Sequence, residues 1–160
     1  MYQELGLGEW RRIGRIGNAS KPTIREKDGM TDHVMNRDAF GSWLDALGRA
    51  WEATDGRDFV QLFAEDATYQ VTPFEEPMRG RPAILEYFSE ATQTQQRIRF
   101  EHEVLGVAEN RGIAHWRVSF DLVTSRRRLE LDGIFVVYFG AAGRCTVFRE
   151  WWHERESEPE

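Results

Sequence analysis

The sequence predicts an α+β domain in which helices come first along the chain and an antiparallel sheet follows. Apolar residues recur at helical spacing from Asp38 onward, and after Gln96 they alternate with polar residues at the period of a strand. Turn-forming residues separate the alternating segments, as in an antiparallel meander. The chain has 160 residues, enough for one domain with a sizeable core, so we expect one folded domain over residues 30–156.

Three helices are expected ahead of the long strands. The first starts near Asp38, with Asn36 or Asp38 as its N-cap. Its apolar stripe consists of Phe40, Trp43, Leu44, Leu47 and Trp51. The second helix is expected at about residues 58–64, and a short strand at residues 67–72 follows it. Pro82 suits the first turn of the third helix, whose apolar positions are Ile84, Leu85 and Phe88.

Four longer strands are expected in the second half of the chain. Their alternating segments cover residues 98–107, 113–123, 129–139 and 145 to about 152. Glycines and short polar runs separate them, which favours hairpin connections. The acidic residues after the last strand are expected to form a solvated, frayed tail, with residues 157–160 outside the domain. These residues are Glu154, Glu156, Glu158 and Glu160.

Residues 1–29 differ from the rest of the chain in charge and pattern. They carry six basic against four acidic residues, whereas residues 30–160 carry 15 basic against 23 acidic. They also hold both lysines, Lys21 and Lys27, and show no sustained apolar period. The basic pair at Arg11 lacks the apolar stretch of an export signal. We therefore expect either a disordered extension or a translated leader ahead of a start at Met30 or Met35.

Charge and cysteine content narrow the classes of function. A net charge of −6 argues against nucleic-acid binding, which requires a concentrated basic surface. The single cysteine, Cys145, excludes an intramolecular disulfide and a multi-cysteine zinc site, and fits a cytoplasmic protein. No run approaches the roughly 18 apolar residues of a membrane span. No nucleic-acid or membrane partner is therefore expected.

Several short segments resemble the nuclear transport factor 2-like superfamily, and within it the SnoaL-like proteins. The segments are residues 62–69 (LFAEDATY), 73–74 (PF), 80–84 (GRPAI), 139–143 (FGAAG) and 148–152 (FREWW). The resemblance covers about residues 37–154. It implies three N-terminal helices packed on a strongly curved antiparallel sheet that forms a conical cavity. The superfamily contains isomerases, cyclases, hydrolases and non-catalytic modules, so the fold alone does not choose the function.

The resemblance also implies which residues face the cavity. Register with ketosteroid isomerase, whose strand is similar to residues 118–120, places Ala114, Trp116, Val118 and Phe120 inward and His115, Arg117, Ser119 and Asp121 outward. The apolar and polar alternation of this strand agrees. The comparison places Ile98, Phe100, His102, Val104, Phe148, Glu150 and Trp152 inward on other strands.

An aromatic and aliphatic cavity with few ionisable groups favours a small apolar or aromatic ligand. We expect ligand contacts from residues on the strands and on the first helix. They are Tyr69, Trp116, Val118, Phe120, Phe100, Phe135, Phe148, Trp152, Trp43 and Leu47.

Glu150 is the first candidate for catalysis. A carboxylate on the same strand face as Phe148 and Trp152 would lose its hydration, and its pKa would rise toward neutrality. Such a group can take up and release protons near physiological pH. The alternatives are a buried ion pair with an arginine, or a bulge that turns the side chain to solvent.

His102 and Asp132 are the other catalytic candidates. His102 lies between two apolar residues on its strand face and could act as a base or as a partner of Glu150, or be a core histidine bonded to backbone or to Tyr69. Strict alternation turns Asp132 outward. A bulge at Gly133 would instead bring Asp132 to the cavity.

Steroid isomerisation by the ketosteroid isomerase mechanism is not expected. The positions of its tyrosine, general base and second acid fall on Leu47, on Val71 or Thr72, and on Phe135. Neither a metal nor a cofactor is expected, because acid/base chemistry needs only the carboxylates. The four histidines, His33, His102, His115 and His153, are spread over different segments.

Three functions remain compatible with the sequence. The first is cofactor-independent acid/base catalysis of the isomerase, cyclase or epoxide-hydrolase type. The second is a non-catalytic module that binds a metabolite or a protein, and the third is a dimerising domain whose cavity is filled by Trp51, Trp116 and Trp152. A homodimer is expected through the convex face of the sheet, where Trp151 forms an apolar stripe with Val136 and Tyr138.

Overall fold

The computed structural model describes residues 34–157. The expectations for residues 1–29 and for Glu158 and Glu160 lie outside the described residues. Three helices are present, as the sequence predicts: α1 (Arg37–Glu52), α2 (Gly56–Gln61) and α3 (Gly80–Gln93). Asn36 caps α1 by accepting a hydrogen bond from the backbone N–H of Ala39 at 2.9 Å.

Six strands form one sheet. They are β1 (Phe63–Gln70), β2 (Met78–Arg79), β3 (Gln95–Ala108), β4 (Arg111–Leu122), β5 (Arg128–Phe139) and β6 (Cys145–Ser157). Their order across the sheet is β2-β1-β6-β5-β4-β3. All neighbouring pairs are antiparallel except β1 and β6, which run parallel. The last strand therefore lies inside the sheet.

The helices pack on the inward face of this curled sheet. Phe40, Leu44 and Leu47 of α1 are fully buried, and the Trp43 indole N–H donates to the backbone oxygen of Leu62 at 3.2 Å. On β4, the predicted inward set is buried: Ala114, Trp116, Val118 and Phe120. The alternation predicted from the sequence is confirmed for this strand.

The region between α2 and β1 differs from the prediction. The sequence predicts that the second helix continues to residue 64, but it ends at Gln61 and Phe63 begins β1. Phe63 pairs with Cys145 of β6, whose backbone N–H donates to the oxygen of Leu62 at 2.9 Å. A short apolar run is compatible with either a helix or a strand. Here the pairing with β6 places Phe63 in a strand.

The outer face and the end of the sheet add two details. Asp121 has the outward position expected of it, yet it is only 2% exposed because Arg97 and Arg128 cover it. Residues Glu154 and Glu156 are not frayed, since β6 continues to Ser157 and pairs with β5 along this stretch.

Candidate functional site

Glu150 lies on the inward face of β6, as the resemblance to ketosteroid isomerase implies. It stands opposite Phe135 of β5, and only 5% of the residue is exposed. The alternative of an ion pair with an arginine is not observed, because none of the ion pairs within residues 34–157 includes Glu150. Glu150 is therefore a buried carboxyl group without a cationic partner in the described part of the chain.

Burial changes the acidity of Glu150 and its neighbours. It raises the pKa of the Glu150 carboxyl to about 8, and the hydrogen bond with the Tyr69 hydroxyl acts in the opposite direction. Burial and the nearby Glu150 also hold the pKa of Tyr69 well above its ordinary value. The same two causes raise the pKa of Tyr87 on α3. Near neutral pH the site thus contains two neutral phenols and a carboxyl group that can exist in either form.

Two cavities meet at Glu150. The inner cavity measures about 20 Å³ and lies among the aromatic residues of the cone, including Trp51, Trp116 and Trp152. The outer pocket measures about 570 Å³ and is lined by residues 71–75, Tyr87 and residues 150–153. Tyr87, Glu150 and Trp152 line both. Glu150 thus lines both a nearly filled cavity and a much larger pocket beside it.

Aromatic rings fill most of the cone. The ring of Tyr69 stacks on Phe148 with centroids 4.5 Å apart, and Trp116 stacks on Phe135 at 4.6 Å. Of the expected ligand contacts, Tyr69 and Trp116 line the inner cavity and Trp152 lines both cavities. The other seven line neither of the two and pack in the apolar core instead. They are Val118, Phe120, Phe100, Phe135, Phe148, Trp43 and Leu47.

His102 is on the inward side of β3, but it does not meet Glu150. Its Nε2 lies 2.7 Å from Oδ1 of Asp45 on α1, and His102 lines neither cavity. The expected partnership between His102 and Glu150 is therefore corrected. The reason is that α1 crosses β3 and offers a carboxylate there, which strand alternation alone does not reveal.

Asp132 lies outside the site. The register of β5 with both neighbours continues through Gly133 without a shift, so the expected alternative with a bulge is wrong. Asp132 faces away from the cone, 2.8 Å from Nε2 of His115, and accepts a hydrogen bond from Arg117 at 3.1 Å. Gly133 serves another purpose: a Cβ at this position would lie 2.7 Å from Cβ of Trp152, so glycine permits this close approach.

The sequence analysis missed the contribution of α3 and of the loop after β1. Tyr87, Phe88, Ala91 and Thr92 of α3 line the inner cavity. Together with Ile84 they follow the i, i+3, i+4, i+7 spacing of a buried helix face, so the signal was present. The loop, residues 71–75, carries no periodic pattern, and its position over the pocket depends on the fold.

Within residues 34–157 no three histidine, cysteine, aspartate or glutamate side chains come together as metal ligands. None of the helices in this range combines the length and apolar character that a membrane span requires.

Helices packed on a curled sheet, with a cavity inside the cone, define a protein of the nuclear transport factor 2-like class, which includes the ketosteroid isomerase-like folds. The family model for the SnoaL-like domain matches residues 27–148. The chain therefore belongs to the SnoaL-like domain family. No curated protein matches the sequence.

Solved structures with this fold include RV0760c of Mycobacterium tuberculosis, which is 14% identical with a TM-score of 0.65, covering 77% of this chain and 99% of that chain. The same protein in complex with estradiol-17beta-hemisuccinate is 16% identical with a TM-score of 0.64, covering 73% and 98%. SalBIII, an epoxide hydrolase/cyclase-like enzyme in pyran ring formation in the polyether salinomycin, is 17% identical with a TM-score of 0.64, covering 74% and 93%. At these identities the similarity establishes the fold.

Proposed function

We propose that the chain binds a small apolar or aromatic molecule in the outer pocket and that Glu150 acts on it as a general acid and base. The reaction belongs to the isomerase, cyclase or epoxide-hydrolase type and uses no cofactor. The observation that carries this proposal is the position of Glu150, a buried carboxyl group at the boundary of an open pocket, with a pKa of about 8. A proton donor with a pKa near the working pH is the most effective general catalyst.

The size and lining of the outer pocket support this ligand class. A volume of about 570 Å³ lies within the range of roughly 300–1,000 Å³ that small-molecule sites occupy. Aromatic side chains line the pocket: Phe74 is 93% exposed at its rim, and Tyr87 and Trp152 lie deeper. Such a lining favours a ligand with flat or apolar surface and a single polar group directed at Glu150.

The structural relatives suggest which ligands to test first. One is described with a steroid ester and another as epoxide hydrolase/cyclase-like. Steroids, terpene epoxides and aromatic polyketides therefore form the first panel. Each presents a large apolar body with one or two oxygen atoms, which matches the character of the outer pocket.

A thermal-shift screen with this panel tests binding, followed by a turnover assay on the compounds that bind. We expect at least one compound to raise the Tm by mass action, and to be converted by the wild type but not by Glu150→Gln. Asp132→Asn is the matched control, because it removes a carboxylate from the other face of the sheet and leaves the site intact. Loss of turnover in both variants, or in neither, contradicts the assignment to Glu150.

The second candidate is a non-catalytic binding or accessory module with the same fold. It is favoured by the filled interior of the cone, where Trp51, Trp116 and Trp152 leave about 20 Å³. This candidate predicts that a ligand binds to wild type and Glu150→Gln with similar affinity and is recovered unchanged. The same assays therefore separate the two functions.

A homodimer through the convex face of the sheet is part of the proposal. Trp151 is 44% exposed there, and Val136 and Tyr138 on β5 are partly exposed beside it. Light scattering should give twice the mass of one chain for the wild type and one chain mass for Tyr138→Arg. An unchanged mass in the variant contradicts this interface.

We also propose a cytoplasmic location, which suits a chain with one buried thiol, Cys145.

A further inference from the structure

The inner cavity has the size of a single water molecule. Its volume is about 20 Å³, and a cavity needs roughly 10–15 Å³ to hold one water. The cavity is too small for any ligand of the outer pocket. Tyr87, Glu150 and Trp152 line both this cavity and the outer pocket, whereas Trp116 and Thr92 line the inner cavity alone.

The Trp116 side chain lines this cavity, and its indole N–H has no partner in the described part of the chain. Trp116 is 1% exposed, and no group in the described part of the chain accepts a hydrogen bond from its Nε1. The other two buried tryptophans of the core are satisfied: Trp43 donates to the oxygen of Leu62, and Trp51 donates to Oε1 of Gln95 at 2.9 Å. A buried donor of this kind is costly unless an acceptor is supplied.

The orientation of the Trp116 ring is fixed by its packing. The ring stacks on Phe135 with an interplanar angle of 10° and lies 5.8 Å from the ring of Trp51. Rotation of the indole away from the cavity would require both neighbours to move, and dense cores resist such shifts. Packing therefore holds the unpaired N–H of Trp116 in this part of the core.

Two further polar groups line the same cavity. One is the carboxyl group of Glu150. The other is the hydroxyl of Thr92, which donates to the backbone oxygen of Phe88 at 2.8 Å and keeps its lone pairs for an incoming donor. A buried water needs two to four polar partners, and three groups of the required kinds surround the cavity.

We propose that the inner cavity binds one ordered water molecule, which accepts a hydrogen bond from the Trp116 indole N–H and donates one to the Glu150 carboxyl group. Thr92 provides a second acceptor for the water. The Trp116 indole is then a positioning residue: it acts on Glu150 through the water and touches no ligand. This inference stands on the geometry of the cavity and is independent of any reaction in the outer pocket.

The water has a consequence for the protonation of Glu150. Hydrogen bonds to a carboxylate favour its charged form, so removing the water disfavours ionisation. The other titratable groups around Glu150 come from each element packed against it. They are Tyr69 on β1, Tyr87 on α3, Cys145 and His153 on β6, and Glu75 in the loop. A substitution of Trp116 replaces none of these side chains.

The comparison of two tryptophan variants tests the proposal. Trp116→Phe and Trp51→Phe remove the same atoms from the lining of one cavity, but only the first removes the unpaired donor. We expect the pKa of Glu150, followed by the infrared band of its protonated carboxyl group, to rise by about one unit in Trp116→Phe and to remain near the wild-type value in Trp51→Phe. Equal shifts in the two variants would overturn the role of Trp116.

A high-resolution crystal structure of the wild-type protein provides the second test, and it needs no variant to fold. We expect a water within hydrogen-bonding distance of both Nε1 of Trp116 and the Glu150 carboxyl group. A cavity without electron density, or a water that contacts Glu150 but not Trp116, overturns the proposal. Both tests leave the proposed function of the outer pocket undecided, since neither measures binding or turnover.

Discussion

Glu150 and Asp121 are two buried carboxyl groups on opposite faces of one sheet, and their acidities move in opposite directions. Burial works against ionisation of Asp121 too, but hydrogen bonds from Arg97 and Arg128 outweigh it and hold its pKa below the ordinary value. Glu150 is buried to a similar degree, and its pKa is about 8. Burial favours the neutral form of both carboxyl groups, and hydrogen bonds from the two arginines reverse its effect at Asp121 alone.

The distribution of arginines explains this difference. On the outer face, Arg117 and Arg155 pair with Glu130, and Arg128 pairs with Asp121 at 3.0 Å. Inside the cone, the groups around Glu150 are aromatic rings and hydroxyl groups. The sheet thus separates acids that hold structure together from an acid that is kept neutral. Substitutions on the two faces should have different consequences.

The largest effect expected is the pH dependence that Glu150 gives to stability. Its folded pKa of about 8 lies above the ordinary value of 4.5, so the folded state keeps a proton that the unfolded state has released between these two values. Stability should fall as the pH rises through this window, by on the order of 4 kcal/mol between about pH 5 and about pH 9. Glu150→Gln should lack this loss. Urea unfolding of both proteins at about pH 5 and about pH 9 measures it.

A wild-type protein that loses no more stability than Glu150→Gln over this range would show that Glu150 ionises normally. The comparison must use the difference between the two proteins, because other groups titrate in both. Asp121 does not complicate this comparison, because its pKa is lowered: its contribution is fully present above about pH 4 and is lost only as the pH falls toward its folded pKa.

Removal of Asp121 should have the next largest effect. Asp121→Asn leaves Arg128 buried without its counter-charge, since only 10% of the Arg128 side chain is exposed, and breaking such a pair costs about 3 kcal/mol. Arg97→Gln is the control. The Arg97 side chain is 63% exposed, so water can take over its hydrogen bonds to Asp121. Urea unfolding at neutral pH compares them. Equal losses in the two variants would contradict a buried Asp121–Arg128 pair.

A smaller effect is expected for Tyr69→Phe. The Tyr69 hydroxyl donates to Glu150 and opposes the rise of its pKa, so its removal should move the pKa of Glu150 upward by about one unit. Direct titration of the carboxyl group by infrared or carbon-13 NMR measures this shift. An unchanged or lower pKa would mean that the hydrogen bond does not favour the carboxylate.

The smallest effect is expected for Asp132→Asn. Hydrogen bonds from His115 and Arg117 lower the pKa of Asp132 although burial acts against them, but half of its side chain is exposed to water. Exposed pairs of this kind contribute less than about 1 kcal/mol. Thermal unfolding should detect little change, and a ligand of the outer pocket should bind unaltered. A large loss of thermal stability or of ligand binding would show that Asp132 contributes to the site.

Strand alternation and the family resemblance together were sufficient to place Glu150. A period of two residues determines which side chains share a face, so Phe148, Glu150 and Trp152 could be placed together, and the resemblance to ketosteroid isomerase indicated that this face is the inward one. The paired acids could not be assigned in this way. Asp121 has the outward parity of its strand, and its burial depends on Arg97 and Arg128, which approach from two neighbouring strands.

The role of His102 and the shape of the pocket show the same limit. Alternation gave the correct face for His102 but not the helix that covers it, so its bond to Asp45 could not be predicted. The volume left inside the cone depends on how rings from the three helices and from β1, β4 and β6 interlock. Residues 71–75 line the outer pocket, but their sequence has no periodic pattern. Their position could not be predicted, because the position of a loop is set by the elements it connects.

Glu150 is a buried acid with no cationic partner among residues 34–157, and its raised pKa keeps it neutral up to the upper end of the physiological pH range. Direct titration of its carboxyl group, assigned by the absence of the signal in Glu150→Gln, tests this claim without knowledge of any ligand. The structure predicts a pKa of about 8. A value near the ordinary 4.5 of a glutamate would contradict the account of the site.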